Sequence, residues 1–523
     1  MPPFFNIAGP CAPGKHYILD PMRGIGDELM KLIDSEQYFI IHAAHQSGKT
    51  TLLKALTRQI NAEGKYYALY CSLEAIERFT VQAEGIPEIV KRIAFCIENQ
   101  YLPEGFAKNA DYTNISGVLN TSLVRYCRSL DKPLVLFFDE ADCLSGDTLI
   151  TFLRQLCDGY VNRPDVPFVH SLALVGMRNL RGYNGDIRPD CESLERVSPF
   201  NIVAEYIDLR NFLPAEVAEL YAQHTAETGQ VFEPEAVDYV FEQTLGQPWL
   251  VNAIAREAVV KILREDYSQP VTRNLVERAI QNIILARGTH FDSLIERLRD
   301  PRVRKVIEPL ILGEEAEDKL SDDYLYTKNL GLIREINRKV EPANPIYAEL
   351  IVRALSWNAQ DSIAGTHEDY TISRYLRDGK LDMDFLIQDF QEFWRENGEI
   401  WINRYKTKLY QYDEAAPHLV LQAFLQRILN GDGHIIREMA LGSKRADLCV
   451  VYDGHKYPIE LKISQNMRKS IDPLKQISEY MDKVGSNTGW LVTFDRDTGK
   501  SWDVKIYMWK EYVDEKEITV AGC

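Results

Sequence analysis

A chain of 523 residues is too long for one compact core, so two to four domains are expected. Hydrophobic content of 45% with 26% charged residues is ordinary for a folded protein, and a net charge of −17 excludes one that coats nucleic acid over its whole surface. A local basic groove is still allowed, because positions 401–523 are close to neutral and the excess acid lies upstream.

No apolar run approaches the ~18 residues that span a bilayer, and no apolar stretch follows a basic start at the N-terminus. Neither a membrane segment nor a signal peptide is expected. The nine cysteines include no C-x-x-C pair, which argues against a zinc ribbon or disulfide framework and fits a reducing cytoplasm.

In chain order, "YFIIHA" (38–43) reads as a buried strand. "AHQSGKTT" follows, and then a helix with Leu52, Leu53, Leu56 and Ile60 on one face, stopped at Gly64. Strands are expected at 66–73, 133–142, 171–179 and 201–209, with helices near 86–100 and 116–129. Strands alternating with helices predict a parallel sheet covered on both faces. Helices are expected at 214–228, 234–244 and 247–263. Three short helices (301–313, 321–333, 344–355) then bracket a β-hairpin, the outline of a winged helix. A linker at 356–370 leads to a second α/β unit starting near 401. Its elements are a helix at 415–429, two strands around a turn at Asp453-Gly454, a helix at 473–484 and the strand "GWLVTFD". The boundaries adopted are 1–213 for the sheet domain, 214–295 for a helical lid and 296–357 for the winged helix. A connector occupies 358–400, and the second α/β domain 401–523.

Ala43-x-x-x-x-Gly48-Lys49-Thr50 is a P-loop with alanine at its first glycine position. Such a loop turns backbone N–H groups inward around phosphate at a helix N-terminus, whose dipole favours an anion. The candidate nucleotide contacts are Ala43, His45, Gln46, Ser47, Gly48, Lys49, Thr50 and Thr51. Lys49 would neutralise the β- and γ-phosphates, and Thr50 would ligate magnesium. In "LVLFFDEAD", Asp139 would hold magnesium through water and Glu140 would polarise the attacking water. Each string alone is weak; together, on strands expected to be adjacent, they are not. Arg178 after the fourth strand reads equally as a γ-phosphate sensor or a solvated arginine. Pro248 in "GQPWLVN" could set a helix over the nucleotide.

"RADLCVVYDGHKYPIELKI" (445–463) carries a second constellation. Asp447 opens one strand and Glu460 sits in its neighbour, so the two can converge across the hairpin as metal ligands for phosphodiester hydrolysis. Lys462, two residues on, shares the face of Glu460 and could stabilise developing charge. Glu438 is a plausible further member. Gln476 and Tyr480 share one face of the next helix. An E-x-K string alone would read as a surface ion pair; the order acid, turn, E-x-K and helix favours a site. Phosphate would be drawn by a few lysines and arginines such as Lys444, Arg445, Arg468 and Lys469.

Both halves resemble known families. Gln46 to Thr50 match the Gln-x-Gly-Lys-Thr/Ser loop of bacterial AAA-like P-loop ATPases of the STAND/archaeal-ATPase-like branch. "SDDYLYTKNLGLI" and "NPIYAELIVRAL" look like their winged-helix segment. "LVLQAFLQRILNGDGHIIREMALGSKRADLCVVY" with "IELKI" is similar to the PD-(D/E)XK nuclease domain fused to many of them. The resemblance implies an α/β chain: a P-loop ASCE parallel-sheet ATPase, a helical and winged-helix middle, and a C-terminal restriction-endonuclease-like domain. It implies ATP and Mg2+ at Lys49, Thr50, Asp139 and Glu140, and a nuclease centre of Glu438, Asp447, Glu460 and Lys462, where Mn2+ could replace Mg2+. The expected partner is nucleic acid, DNA before RNA, with self-association open and no membrane. The expected function is an ATP-dependent or ATP-gated nuclease suited to anti-phage defence or mobile-element biology. The alternative is an ATP switch whose nuclease fold only binds nucleic acid or a protein.

Overall fold

The structure, a computed structural model, describes residues 2–44, 46–107, 110–176, 202–286, 289–311, 321–351, 353–354, 371–403, 416–429, 433–437, 448–463, 473–495 and 499–523. The chain divides into two compact units, Met1–Leu285 with Lys328–Gly331, and Ala286–Thr327 with Leu332–Cys523. No described helix is long and apolar enough to cross a membrane.

The first unit opens with α1 (Gly26–Asp34), β1 (Tyr38–His42), α2 (Lys49–Glu63), β2 (Tyr67–Ser72), α3 (Gln82–Asn99) and α4 (Val118–Ser129). It continues with β3 (Leu134–Asp139), α5 (Gly146–Val161), β4 (Ser171–Gly176) and β5 (Val203–Asp208). The five strands form a parallel sheet in the order β2-β3-β4-β1-β5. Strand alternation sends each side chain to one of two buried layers. Tyr38, Ile40, Leu136 and Phe138 pack with α3, α4 and α5; Phe39, Ile41, Val135 and Phe137 pack with α1 and α2. Helices α1 and α5 are additions to the elements expected from sequence.

One expectation is corrected. The strands carrying the P-loop and the acidic pair are not neighbours, because β4 lies between β1 and β3. All six residues of β4 are buried, as an interior strand covered on both faces allows.

The helices α6 (Pro214–Thr228), α7 (Pro234–Thr244) and α8 (Pro248–Arg256) follow. The single helix expected over 247–263 changes at Glu257 into a π-helical turn, Glu257–Ile262. Then come α9 (Arg273–Ala286), α10 (Thr289–Arg297), α11 (Pro301–Ile311) and α12 (Asp322–Asn329). The strands β6 (Ile333–Ile336) and β7 (Lys339–Pro342) pair antiparallel around Asn337 and Arg338, both at positive φ, and a helix over 345–351 (α13) comes next.

In the second unit a short hairpin, β8 (Leu376–Arg377) and β9 (Lys380–Leu381), precedes α14 (Met383–Asn403) and α15 (Ala416–Leu429). The strands β10 (Gly433–Arg437), β11 (Leu448–Tyr452) and β12 (His455–Ile463) lead to α16 (Pro473–Val484) and β13 (Thr488–Phe494). A short α17 (Trp502–Lys505) and a final hairpin, β14 (Tyr507–Val513) and β15 (Lys516–Gly522), close the chain. The sheet order is β10-β11-β12-β13-β15-β14, antiparallel from β10 to β12 and parallel from β12 through β15. The expected connector at 358–400 contains core material. Met383, Leu386, Ile387, Phe390, Phe393 and Trp394 of α14 are buried with α15 and one face of this sheet.

Candidate nucleotide and phosphodiester sites

The P-loop leaves the end of β1 and enters α2 through two left-handed residues, Gln46 (φ 57°) and Gly48 (φ 99°). Gly48 caps α2, so its freedom is what lets the chain turn into the helix. Ala43 is not left-handed; its N–H donates to the Gly176 carbonyl (3.3 Å), continuing the β1–β4 ladder. Alanine therefore fits where glycine usually stands. Ser47 donates to the Ala44 carbonyl (2.8 Å). Lys49 is buried, and its ammonium donates to the carbonyls of Ala43 and Ala44, both at 3.1 Å. Thr51 turns away from the loop and accepts the backbone N–H of Cys11 (3.0 Å). His45 and Arg178 lie outside the described residues.

Alternation along β3 places Asp139 with Val135 and Phe137 on the α2 side of the sheet. Thr50, in the first turn of α2, donates to Asp139 Oδ2 at 2.7 Å, although β4 separates their strands. The contact spans the end of β4, where the last residue is Gly176. A Cβ there would collide with the Asp142 carboxylate, so the glycine keeps this edge open. Asp139 is 1% exposed, and its other oxygen accepts the Glu140 N–H (3.1 Å). A hydroxyl and a buried carboxylate at this spacing are hard oxygen donors that fit magnesium.

Glu140 sits in the left-handed region (φ 54°, ψ 41°), which is costly for a glutamate. Burial pushes its carboxyl up to about 7; Lys49 opposes the shift, while Asp139, Asp142 and Glu74 add to it. A carboxylate poised there can exchange a proton near neutral pH.

Sequence reasoning missed Tyr70. It lies on β2, and its hydroxyl donates to Asp139 Oδ2 at 2.9 Å. Burial and the Asp139 charge push its phenol far above the ordinary value, so it stays a donor. No motif marks it; only the β2–β3 register reveals it. Also unforeseen was the docking of the N-terminal segment, where Trp249 of α8 donates to the Ile7 carbonyl (2.9 Å). Pro248 begins α8, and Gln247 caps it by accepting the Leu250 N–H (2.6 Å). Gly246 (φ 72°) approaches the Phe212 carbonyl too closely for any side chain.

In the second unit, Asp453 and Gly454 form the expected turn, both at positive φ. β12 is an interior strand. Ile459 and Leu461 face the α14/α15 core, so Glu460 and Lys462 face the opposite side. That side is covered by α16, whose Ile477, Tyr480 and Met481 pack with Cys449 and Leu491, the latter paired with Glu460. Glu460 is 0% exposed, and Lys462 Nζ lies 2.6 Å from its Oε1. Gln476 is half-buried on the same helix. Glu438, Asp447, Lys444, Arg445, Arg468 and Lys469 lie outside the described residues. Among the described residues no group of three or more His, Cys, Asp or Glu could hold a metal.

No protein-family model matches the chain, and no curated protein does. Among solved structures, a Walker-type ATPase of Pyrococcus abyssi is similar at a TM-score of 0.47 and 16% identity, covering 66% of this chain and 99% of that one. The RuvB Holliday junction branch migration motor of Thermotoga maritima is similar at 0.34 and 14% identity, covering 62% and 93%. The Orc1 protein of Aeropyrum pernix, solved with DNA, is similar at 0.36 and 14% identity, covering 67% and 96%. All three TM-scores fall below 0.5.

Proposed function

We propose that the chain is an ATP-dependent or ATP-gated nuclease acting on nucleic acid, DNA before RNA. The observation that carries the nucleotide half is the 2.7 Å bond between Thr50 and Asp139, which brings a hydroxyl from the P-loop helix and a buried carboxylate to one point across an intervening strand. Phosphate oxygens would take Lys49 from the carbonyls of Ala43 and Ala44, while the loop N–H groups and the α2 N-terminus hold the remaining charge. Thr50 and Asp139 would hold magnesium, which supplies charge neutralisation on the phosphates when bound. Glu140 in its ionised form orients water and accepts its proton.

For the nuclease half, the support is the pairing of Glu460 with Lys462 on an interior strand beneath α16. The lysine stands on a face that also buries Cys449, Ile477, Met481 and Leu491. Glu460 and Asp447 would hold magnesium or manganese, which would supply the hydroxide; Lys462 would stabilise charge on the phosphate. Glu438 and Gln476 complete the proposed centre, and α11, α12, the β6–β7 hairpin and α13 serve as a winged helix linking nucleotide state to substrate.

The test incubates the purified protein with plasmid DNA, linear DNA and RNA, with and without magnesium, manganese and ATP, beside Glu460→Ala. Metal-dependent cleavage lost in the variant is the expected result. No cleavage by the wild type under any condition moves the reading to an ATP switch whose C-terminal domain only binds. Equal cleavage by both proteins means a contaminating nuclease.

A further inference from the structure

We propose that Tyr70 is a positioning residue of the nucleotide site: its hydroxyl holds the Asp139 carboxylate in place and thereby sets the magnesium dependence of nucleotide binding. The inference rests on the nucleotide-site reading above.

The placement follows from register. Tyr70 pairs with Phe137, two residues before Asp139 on the neighbouring strand. Alternation puts both side chains on the face covered by α2, so the long phenol reaches diagonally to the carboxylate. Oδ2 of Asp139 then accepts two hydroxyl donors, Thr50 at 2.7 Å and Tyr70 at 2.9 Å, while Oδ1 accepts the Glu140 N–H at 3.1 Å. Thr50 is itself a candidate metal ligand. Tyr70 is the side-chain donor to Asp139 that comes from outside the loop and the acidic motif.

Tyr70 is held firmly for this task. β2 is an edge strand, so the outward backbone groups of Tyr70 lack a strand neighbour. The Gln100 side chain supplies both partners: its Oε1 accepts the Tyr70 N–H (3.0 Å) and its Nε2 donates to the Tyr70 carbonyl (2.6 Å). A glutamine here replaces two ladder bonds at the β2 residue whose side chain touches Asp139. On the other side the Lys54 ammonium, one turn beyond Thr50 on α2, stands 5.3 Å from the centre of the phenol ring. A carboxylate that must present a fixed edge to a cation gains from such a partner, and loss of an outer partner of this kind typically costs about 10–100-fold in metal affinity.

The experiment compares wild type with Tyr70→Phe, which keeps the ring and removes only the hydroxyl. Binding of a fluorescent ATP analogue to the full chain is measured in EDTA and across a magnesium titration. The expected result is a rise of roughly tenfold in the half-saturating magnesium concentration. Metal-free nucleotide affinity should stay within about twofold, by the same separation of metal from phosphate contacts. A purely structural role would weaken binding equally with and without metal, and that outcome overturns the proposal. An unchanged magnesium titration in Tyr70→Phe overturns it alone. Absence of magnesium-dependent nucleotide binding in the wild type overturns the nucleotide-site reading and this inference together.

Discussion

Lys462 and Glu460 form an ion pair at 2.6 Å on one face of an interior strand, with the glutamate side chain fully buried and the lysine 19% exposed. Burying a carboxylate is costly unless it is paired or hydrogen-bonded, and here Glu460 is paired with the Lys462 ammonium. Lys462→Met is therefore expected to destabilise the second unit by about 3–5 kcal/mol, the usual cost of breaking a buried pair from one side. Adding Glu460→Gln should restore part of the loss. Thermal unfolding of the two variants checks this. If Lys462→Met alone left the unfolding midpoint unchanged, Glu460 would not depend on the pair for its burial.

Lys49→Ala should weaken binding of labelled ATP by at least tenfold. The lysine would contribute charge-assisted hydrogen bonds to phosphate, each worth about 1.5–3 kcal/mol. Equilibrium titration measures this directly, and unchanged affinity would remove Lys49 from the site.

Glu140→Gln keeps size and hydrogen bonding but loses the base. Turnover should drop by roughly 10²–10⁴-fold, the span of general base catalysis, while nucleotide affinity is retained. Phosphate release and nucleotide binding measured side by side separate the two effects. Equal turnover in variant and wild type would exclude Glu140 from the hydrolytic step.

Arg210 grips Glu216 with two 2.7 Å bonds where β5 leads into α6, and Glu216 also accepts the Leu213 N–H (2.8 Å). The Arg210 bonds hold the Glu216 carboxyl down at about 2 against the opposing effect of burial, with the Leu213 N–H and Arg23 adding smaller contributions. Because the folded value is depressed, its contribution is present above the ordinary carboxylate range, around pH 4.5, and is lost as pH falls toward 2. The amount is roughly 1–3 kcal/mol after solvent screening. Glu216→Gln should lower the thermal midpoint at pH 7 and flatten its decline between pH 4.5 and 2, the window between the two values. An identical acid limb in both proteins would refute the assignment.

The amino-acid sequence by itself determined the local elements and the chemistry they carry. The short continuous apolar runs in 38–43 and 133–139 foretold buried strands. The Gly48-Lys49-Thr50 string foretold a loop leading into a helix N-terminus. Asp453-Gly454 foretold the hairpin turn, and the spacing of Glu460 and Lys462 foretold a shared face. These follow from backbone sterics and side-chain alternation, which act over a few residues. Strand order does not act at that range. That β4 separates the P-loop strand from the acidic strand, that α14 belongs to the C-terminal core, and that Tyr70 reaches Asp139 were decided by the packing of segments distant in the chain. Tyr70 shows the reason most plainly. In "YYALYCSL" it is one tyrosine among three, and nothing in the string sets it apart. Only the register that pairs it with Phe137 puts its hydroxyl against the carboxylate, and that register exists only once apolar layers have closed over both faces of the sheet.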